Sequence, residues 1–270
     1  MSAPLDTLDA MPVGPAAAGR VSMLRIFGIE TWTEYLRLLR TPSFSVPVIG
    51  FPLLFYLLFG VILGSAHAGA AAGRAVLAAF IVFGVMAPGL FGLGVTLAID
   101  RDRGLLALKR ALPMPPGVFL AAKLAVAMVI ATIISVLLMV FAVVIGRVAL
   151  GLVECCALLA LAMLGVVPFC GLGLLIGTLT KGQAAAAVIN LVYLPMSFLS
   201  GVLLPLSVLP HGLARLAPLW PAYHLAQLAF AVVSRGSPLQ PGRAAGHVVV
   251  LAGMTALFFA IARRRLQRQG

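Results

Sequence analysis

Of 270 residues, 62% are hydrophobic and only 10% are charged, against roughly 45–50% and 25% in an ordinary soluble domain. So little charge cannot cover a surface that faces water, so lipid is the solvent for most of the chain, with no room for a separate soluble domain. The net charge of +12 would suit a nucleic-acid binder, but the basic residues flank apolar runs, where the positive-inside rule and anionic headgroups place them. Nucleic acid is therefore excluded as a partner, and the bilayer takes its place.

Residues 1–20 are rich in Ala, Pro and Gly and lack the basic start and apolar core of a signal peptide, which predicts a disordered cytoplasmic tail. Residues 21–40 predict an amphipathic helix. At 100° per residue, Val21, Leu24, Phe27, Trp32, Tyr35, Leu38 and Leu39 share one arc, and Arg25, Glu30, Glu34, Arg37 and Arg40 lie opposite. Such a helix lies in the membrane interface, with Trp32 and Tyr35 as anchors at headgroup depth.

Six runs then lack Asp, Glu, Lys and Arg over a length able to span a bilayer. They place spans near residues 44–65, 76–99, 124–146, 156–179, 184–204 and 245–262. Leu216–Ser234 is apolar enough for a seventh, but Pro218 and Pro221 break its first turns, and His224 and Gln227 would be costly in lipid. Charge placement supports six. The cytoplasmic side then holds fourteen of the nineteen Lys and Arg residues, and a seventh span would carry Arg263, Arg264, Arg265 and Arg268 outside. The expected fold is an all-α membrane protein of the bacterial inner membrane with both termini cytoplasmic. Six spans follow the interfacial helix within residues 41–270, and external re-entrant helices at 205–240 separate spans five and six.

Gly60 and Gly64, and Gly173 and Gly177, form GxxxG pairs, with Gly89, Gly92 and Gly94 clustered in the second span; such residues let membrane helices approach closely. Cys155, Cys156 and Cys170 read as small hydrophobes, and His67, His211, His224 and His247 as interfacial or loop residues. GxxxxGK[ST], HExxH and GxSxG are all missing, so no catalytic residue, metal site or bound cofactor is expected. All seven acidic residues lie outside the predicted spans, which argues against ion-coupled transport. If the protein transports, its energy comes from a separate ATPase acting on a cytoplasmic loop.

Residues 100–123 are suited to receive that action. Gly104–Leu112 can form a short helix with Leu105, Leu108 and Leu112 on one face and Lys109 and Arg110 at its edges, ended by Pro113, Pro115 and Pro116. In the fifth span, Asn190, Tyr193, Met196, Ser197, Phe198 and Ser200 offer a mostly apolar substrate path with a few hydrogen-bonding groups. Such a lining suits a lipophilic or amphipathic cargo, drug-like or lipid-like.

Four stretches resemble the permease subunits of ATP-binding-cassette exporters of the type-2 family. They are the helix at 21–40, GLLALKRALPMPPGVFLAAKL before the third span, the segment from GLLIGTLTKG to FLSGVLLPLSVLP across spans four and five, and LARLAPLWPAYHLAQLA beyond. The resemblance implies two permease copies side by side, each docked on a separate nucleotide-binding subunit that holds ATP and magnesium. It makes 21–40 the connecting helix and 103–112, with Arg103, Leu105, Leu108, Lys109 and Leu112, the coupling helix. His224 and Gln227 stand where many members carry an arginine, and Leu106–Ala107–Leu108 where many carry a glutamate. The rival readings are a lipid-linked glycan exporter and a non-transporting membrane scaffold or assembly factor.

Overall fold

A computed structural model describes residues 22–62, 70–105, 116–182, 184–234 and 240–268. Every regular element among them is a helix. In chain order these are α1 (Met23–Leu39), α2 (Pro42–Phe55), α3 (Ala70–Gly89), α4 (Thr96–Asp102), α5 (Pro116–Val144), α6 (Leu152–Leu179), α7 (Ala184–Leu199), α8 (His211–Ala214), α9 (Pro221–Val233) and α10 (Pro241–Arg268). Widened π-helical turns continue α2 through Tyr56–Ile62 and join α3 to α4 through Leu90–Val95. Each follows a helix-internal proline, Pro52 and Pro88 respectively. Proline removes one N–H and crowds the preceding turn, and a wider turn relieves both.

Five helices are long and apolar enough to cross a membrane: Pro42–Ile62, Ala72–Asp102, Gly117–Val144, Leu152–Leu179 and Gly242–Gln267. The bent pair His211–Leu219 and Pro221–Val233, folded by 91° at Trp220, brings the number to as many as six. The chain is thus a multi-pass membrane protein. Two crossing helices, Ala72–Asp102 and Leu152–Leu179, run past the charge-free stretches that define them in sequence and take in acidic residues, so Asp100, Asp102 and Glu154 sit within helices rather than beyond them. The expected span at 184–204 is shorter than its apolar run. Its helix has 16 residues, about 24 Å at 1.5 Å per residue against a hydrocarbon core of about 30 Å. Gly201 ends it in a left-handed conformation (φ +81°) that a side chain would strain.

The continuous helix formed by α3, the π turn and α4 is the central post. It packs on α5, α6 and α9, and 89% of its most apolar window is buried, against 17% for α2 and 6% for α10. Backbone meets backbone where it crosses α6. A Cβ on Gly177 would lie 2.5 Å from the Gly94 carbonyl oxygen, and one on Gly173 would lie 2.7 Å from the Gly89 and Leu90 carbonyls. Without a hydrophobic drive between helices in lipid, such close contact is what holds them together. The helix α10 lies against α6, where Phe258 and Phe259 cover Gly171.

Candidate functional site

On the side away from α6, the central helix faces two open-sided chambers bounded by α2 and α7. The first, about 700 Å³, lies toward the end that carries residues 100–105, and α1 forms its floor. This proximal chamber has Phe44, Phe51, Phe91 and Tyr193 on its walls, and Arg37, Ser43, Asn190 and Arg103 are the charged and amide or hydroxyl groups of its lining besides Thr41 and Thr96. The second, about 650 Å³, lies toward the opposite end and is lined almost wholly by apolar groups, with Gln227 the polar side chain among them. One stripe of α7, repeating every three to four residues, serves both: Ala186, Asn190 and Tyr193 face the proximal chamber, Leu194 and Phe198 the distal one.

An aromatic septum divides the chambers. The rings of Phe83 and Tyr193 stand 5.1 Å apart, Phe91 meets Tyr193 edge-on at 5.7 Å, and Phe51 and Phe55 stack at 6.1 Å across the boundary. The Tyr193 hydroxyl donates to the Phe83 carbonyl at 3.3 Å and fixes the ring.

Below the proximal chamber lies a buried ion quartet. Lys123, on α5, donates to Glu34 of α1 and to the Thr96 hydroxyl at 3.0 Å, and pairs with Asp100 at 3.2 Å. Its ammonium also lies 4.8 Å from the centre of the Phe119 ring. Arg37 grips both Asp100 oxygens, at 2.7 and 3.3 Å. Two cations and two anions cancel, and each buried charge has a partner, which is the condition for leaving charges in so dry a place. The hydrogen bonds that Arg37 donates to Asp100 raise its pKa above the already high ordinary value, so this guanidinium is a permanent cation. The same end is fastened by Arg101, which donates to the Thr178 carbonyl at 2.9 Å and to that of Thr180, capping the C-terminus of α6.

The sequence matches a known family. A family model described as ABC-2 type transporter fits residues 26–233. The chain belongs to that family. It is also 26% identical over 241 residues to the protein named "Putative transport permease YvfS" of Bacillus subtilis (strain 168), an alignment covering 89% of this chain and 96% of that one. Membership makes the ABC-2 chain a transport subunit rather than a catalytic enzyme.

Within this ABC-2 fold the expected site residues part company. Asn190 and Tyr193 line the proximal chamber and Phe198 the distal one, while Met196, Ser197 and Ser200 are buried away from both. The Ser197 hydroxyl is spent on the Tyr193 carbonyl at 2.7 Å. Arg103 lines the proximal chamber and Leu105 is half-buried; Leu108, Lys109 and Leu112 lie outside the described residues, as does the tail at 1–20. On α1, Trp32 is exposed and packs its ring against Tyr35 at 5.9 Å. The charged side of α1 does not face water as its pattern suggests: Glu34 is buried and turned into the bundle. Sequence reasoning missed the quartet because it left Glu34 and Arg37 on the polar face of an interfacial helix and Asp100 and Lys123 in a cytoplasmic loop. The spacing of Glu34 and Arg37 on one helical face, opposite Asp100 and Lys123 at two helix ends, was the available signal.

A second pairing was also unforeseen. His224 of α9 and His247 of α10 meet Nδ1 to Nδ1 at 2.8 Å, and His224 Nε2 lies 2.9 Å from the Pro218 carbonyl. With both rings neutral, His224 donates through Nε2, accepts at Nδ1, and His247 donates. The bond ties the bent pair to the last helix.

Proposed function

We propose that this chain is the permease of an ATP-driven exporter. It works as two copies side by side, each docked through residues 100–123 on a separate ATP-binding-cassette subunit that holds the ATP and magnesium. The cargo is lipophilic or amphipathic and moves outward across the inner membrane. The observation that carries this reading is the pair of chambers stacked along one side of the central helix, divided by only a layer of aromatic rings. Such a septum can part when α2 and α7 shift, whereas the opposite side of the same helix is locked on α6. The quartet supports the same reading, because it couples α1 to the central helix and α5 at the end where an ATPase would act. By the positive-inside rule that end, with Arg37, Arg101, Arg103, Lys123 and Lys181, is cytoplasmic. Residues 205–240 then lie outside without crossing.

Reconstitution with a separate ATPase subunit tests the proposal. The chain alone should hydrolyse no ATP, and hydrolysis and export should appear together once the ATPase is added. Leu108→Asp should reduce ATPase binding about a hundredfold, since a carboxylate in a desolvated groove costs several kcal/mol. Robust hydrolysis by the chain alone, or full ATPase retention and transport by Leu108→Asp, would overturn it. Sidedness has its own check in a cysteine-free background: an impermeant thiol reagent added outside should label cysteines placed between 207 and 240 and spare positions 109 and 266.

A further inference from the structure

The proximal chamber carries a charge pattern that selects among amphiphiles. Its lining is mostly apolar and aromatic, but it holds two cations, Arg37 of the floor helix and Arg103 at the end of α4, and no carboxylate belongs to it. Beneath it, Glu34 and Asp100 are 5% and 2% exposed and already engaged with Lys123 and Arg37; Asp102, beside Arg103 in the chain, lies outside the lining, next to Gly182. Asp100 takes two of the five N–H donors of Arg37, whose side chain is still 39% exposed. No ion pair holds Arg103 among the described residues, and it is exposed. Ser43 on α2 and Asn190 on α7 line the same chamber, and among the described residues neither has a side-chain hydrogen-bond partner. A volume near 700 Å³ falls in the range of small-molecule sites, about 300–1,000 Å³.

We infer that the proximal chamber binds an amphiphile with an anionic headgroup. The headgroup, a phosphate, sulfate or carboxylate, sits on Arg37 and Arg103 with Ser43 and Asn190 beside it. The chain runs inward over Phe44, Phe51 and Phe91 to the septum. Guanidinium groups suit this role because they bind oxyanions through charge-assisted bonds of fixed geometry. A cationic amphiphile finds no counter-charge in the lining and meets two like charges. This assignment rests on reading the chambers as the cargo path, and it names the cargo class.

The test uses the full chain in phosphatidylcholine nanodiscs, with binding of a nitrobenzoxadiazole-labelled dodecyl phosphate followed by fluorescence after subtraction of empty nanodiscs. Unlabelled competitors share one tail: dodecyl phosphate, dodecylphosphocholine and dodecyltrimethylammonium. Dodecyl phosphate should compete at least tenfold better than the other two, and inorganic phosphate at millimolar concentration should not compete. Arg103→Glu should erase the preference and Arg103→Lys should keep part of it; an exposed residue is changed, so the fold should survive, and an unaltered melting temperature verifies that. Equal competition by all three headgroups, preference for the cation, displacement by phosphate alone, or an unchanged preference in Arg103→Glu would each overturn the assignment. Binding needs no ATPase. Lost headgroup preference alongside intact ATP-driven export would remove the cargo class and leave the transport reading standing, and retained preference without ATP-driven export would do the reverse.

Discussion

Toward α6 the central helix presents Gly89 and Gly94 and meets its neighbour at backbone contact; toward α2 and α7 it presents Phe83, Phe91 and Val95 and stands back across chambers of about 700 and 650 Å³. Both sides are apolar, so apolarity does not decide which one closes. Side-chain size does. In lipid a bare glycine stripe lets two helices approach until dispersion and weak backbone contacts hold them, whereas large rings keep neighbours at a distance and leave surfaces that can separate. One helix thereby serves as fixed support on one side and as the wall of a path on the other.

The comparison breaks most violently on the closed side. Gly177→Leu would press its Cβ on the Gly94 carbonyl, 2.5 Å away. Backbone cannot yield as a side chain does, so the cost should exceed the about 1–3 kcal/mol of ordinary overpacking, and no folded chain should elute on gel filtration in detergent. Gly92→Ala is the contrast within the same π turn. Its new methyl would meet only the Phe44 ring, 3.9 Å away, and the melting temperature should barely move.

Next in size is the quartet that ties the closed side to the floor of the open one. Lys123→Met leaves buried Glu34 with only the longer contact to Arg37, 3.6 Å away, and should cost up to about 3–5 kcal/mol, read as a fall in melting temperature. Adding Glu34→Gln to that variant removes the under-compensated charge and leaves Arg37 on Asp100, so most of the loss should return. If the double variant is no more stable than Lys123→Met alone, the four groups do not form the charge-balanced unit described.

Sequence legibility divides along the same line. The helices were legible because a charge-free apolar run of sufficient length has few alternatives in lipid, and Gly173 with Gly177 announced the contact they make with the central helix. Which helix is central was not legible: the α2 span and the central helix have mean hydropathies of 2.2 and 2.3, yet 17% and 89% of their windows are buried. Hydropathy reports what lipid tolerates, and lipid tolerates a buried and an exposed leucine equally. Of the path residues, helical periodicity could group Asn190 with Tyr193, but only packing shows that Ser197 turns away. The quartet escaped because its members lie on three helices far apart in sequence, and a pattern read one helix at a time leaves each charge solvated.

The smallest effect probes the septum. Tyr193→Phe deletes one hydroxyl whose bond to the Phe83 carbonyl is long, 3.3 Å, and that carbonyl keeps its place in the α3 ladder. A hydrogen bond of this kind contributes about 0.5–1.5 kcal/mol net, and its length puts the expected loss at the lower end, a change of a few degrees at most in melting temperature. The ring contacts at 5.1 and 5.7 Å survive, so the two chambers should stay separate, and proteoliposomes should hold a small entrapped dye as wild type does. Tyr193→Ala removes the ring itself and joins the chambers, so the same vesicles should leak. The pair separates two explanations of the septum, since a wall made by packing depends on the ring and a wall made by the hydrogen bond depends on the hydroxyl. Leak from Tyr193→Phe equal to that from Tyr193→Ala would assign the barrier to the hydroxyl, and tight vesicles in both would mean that Phe83 and Phe91 close the path without Tyr193.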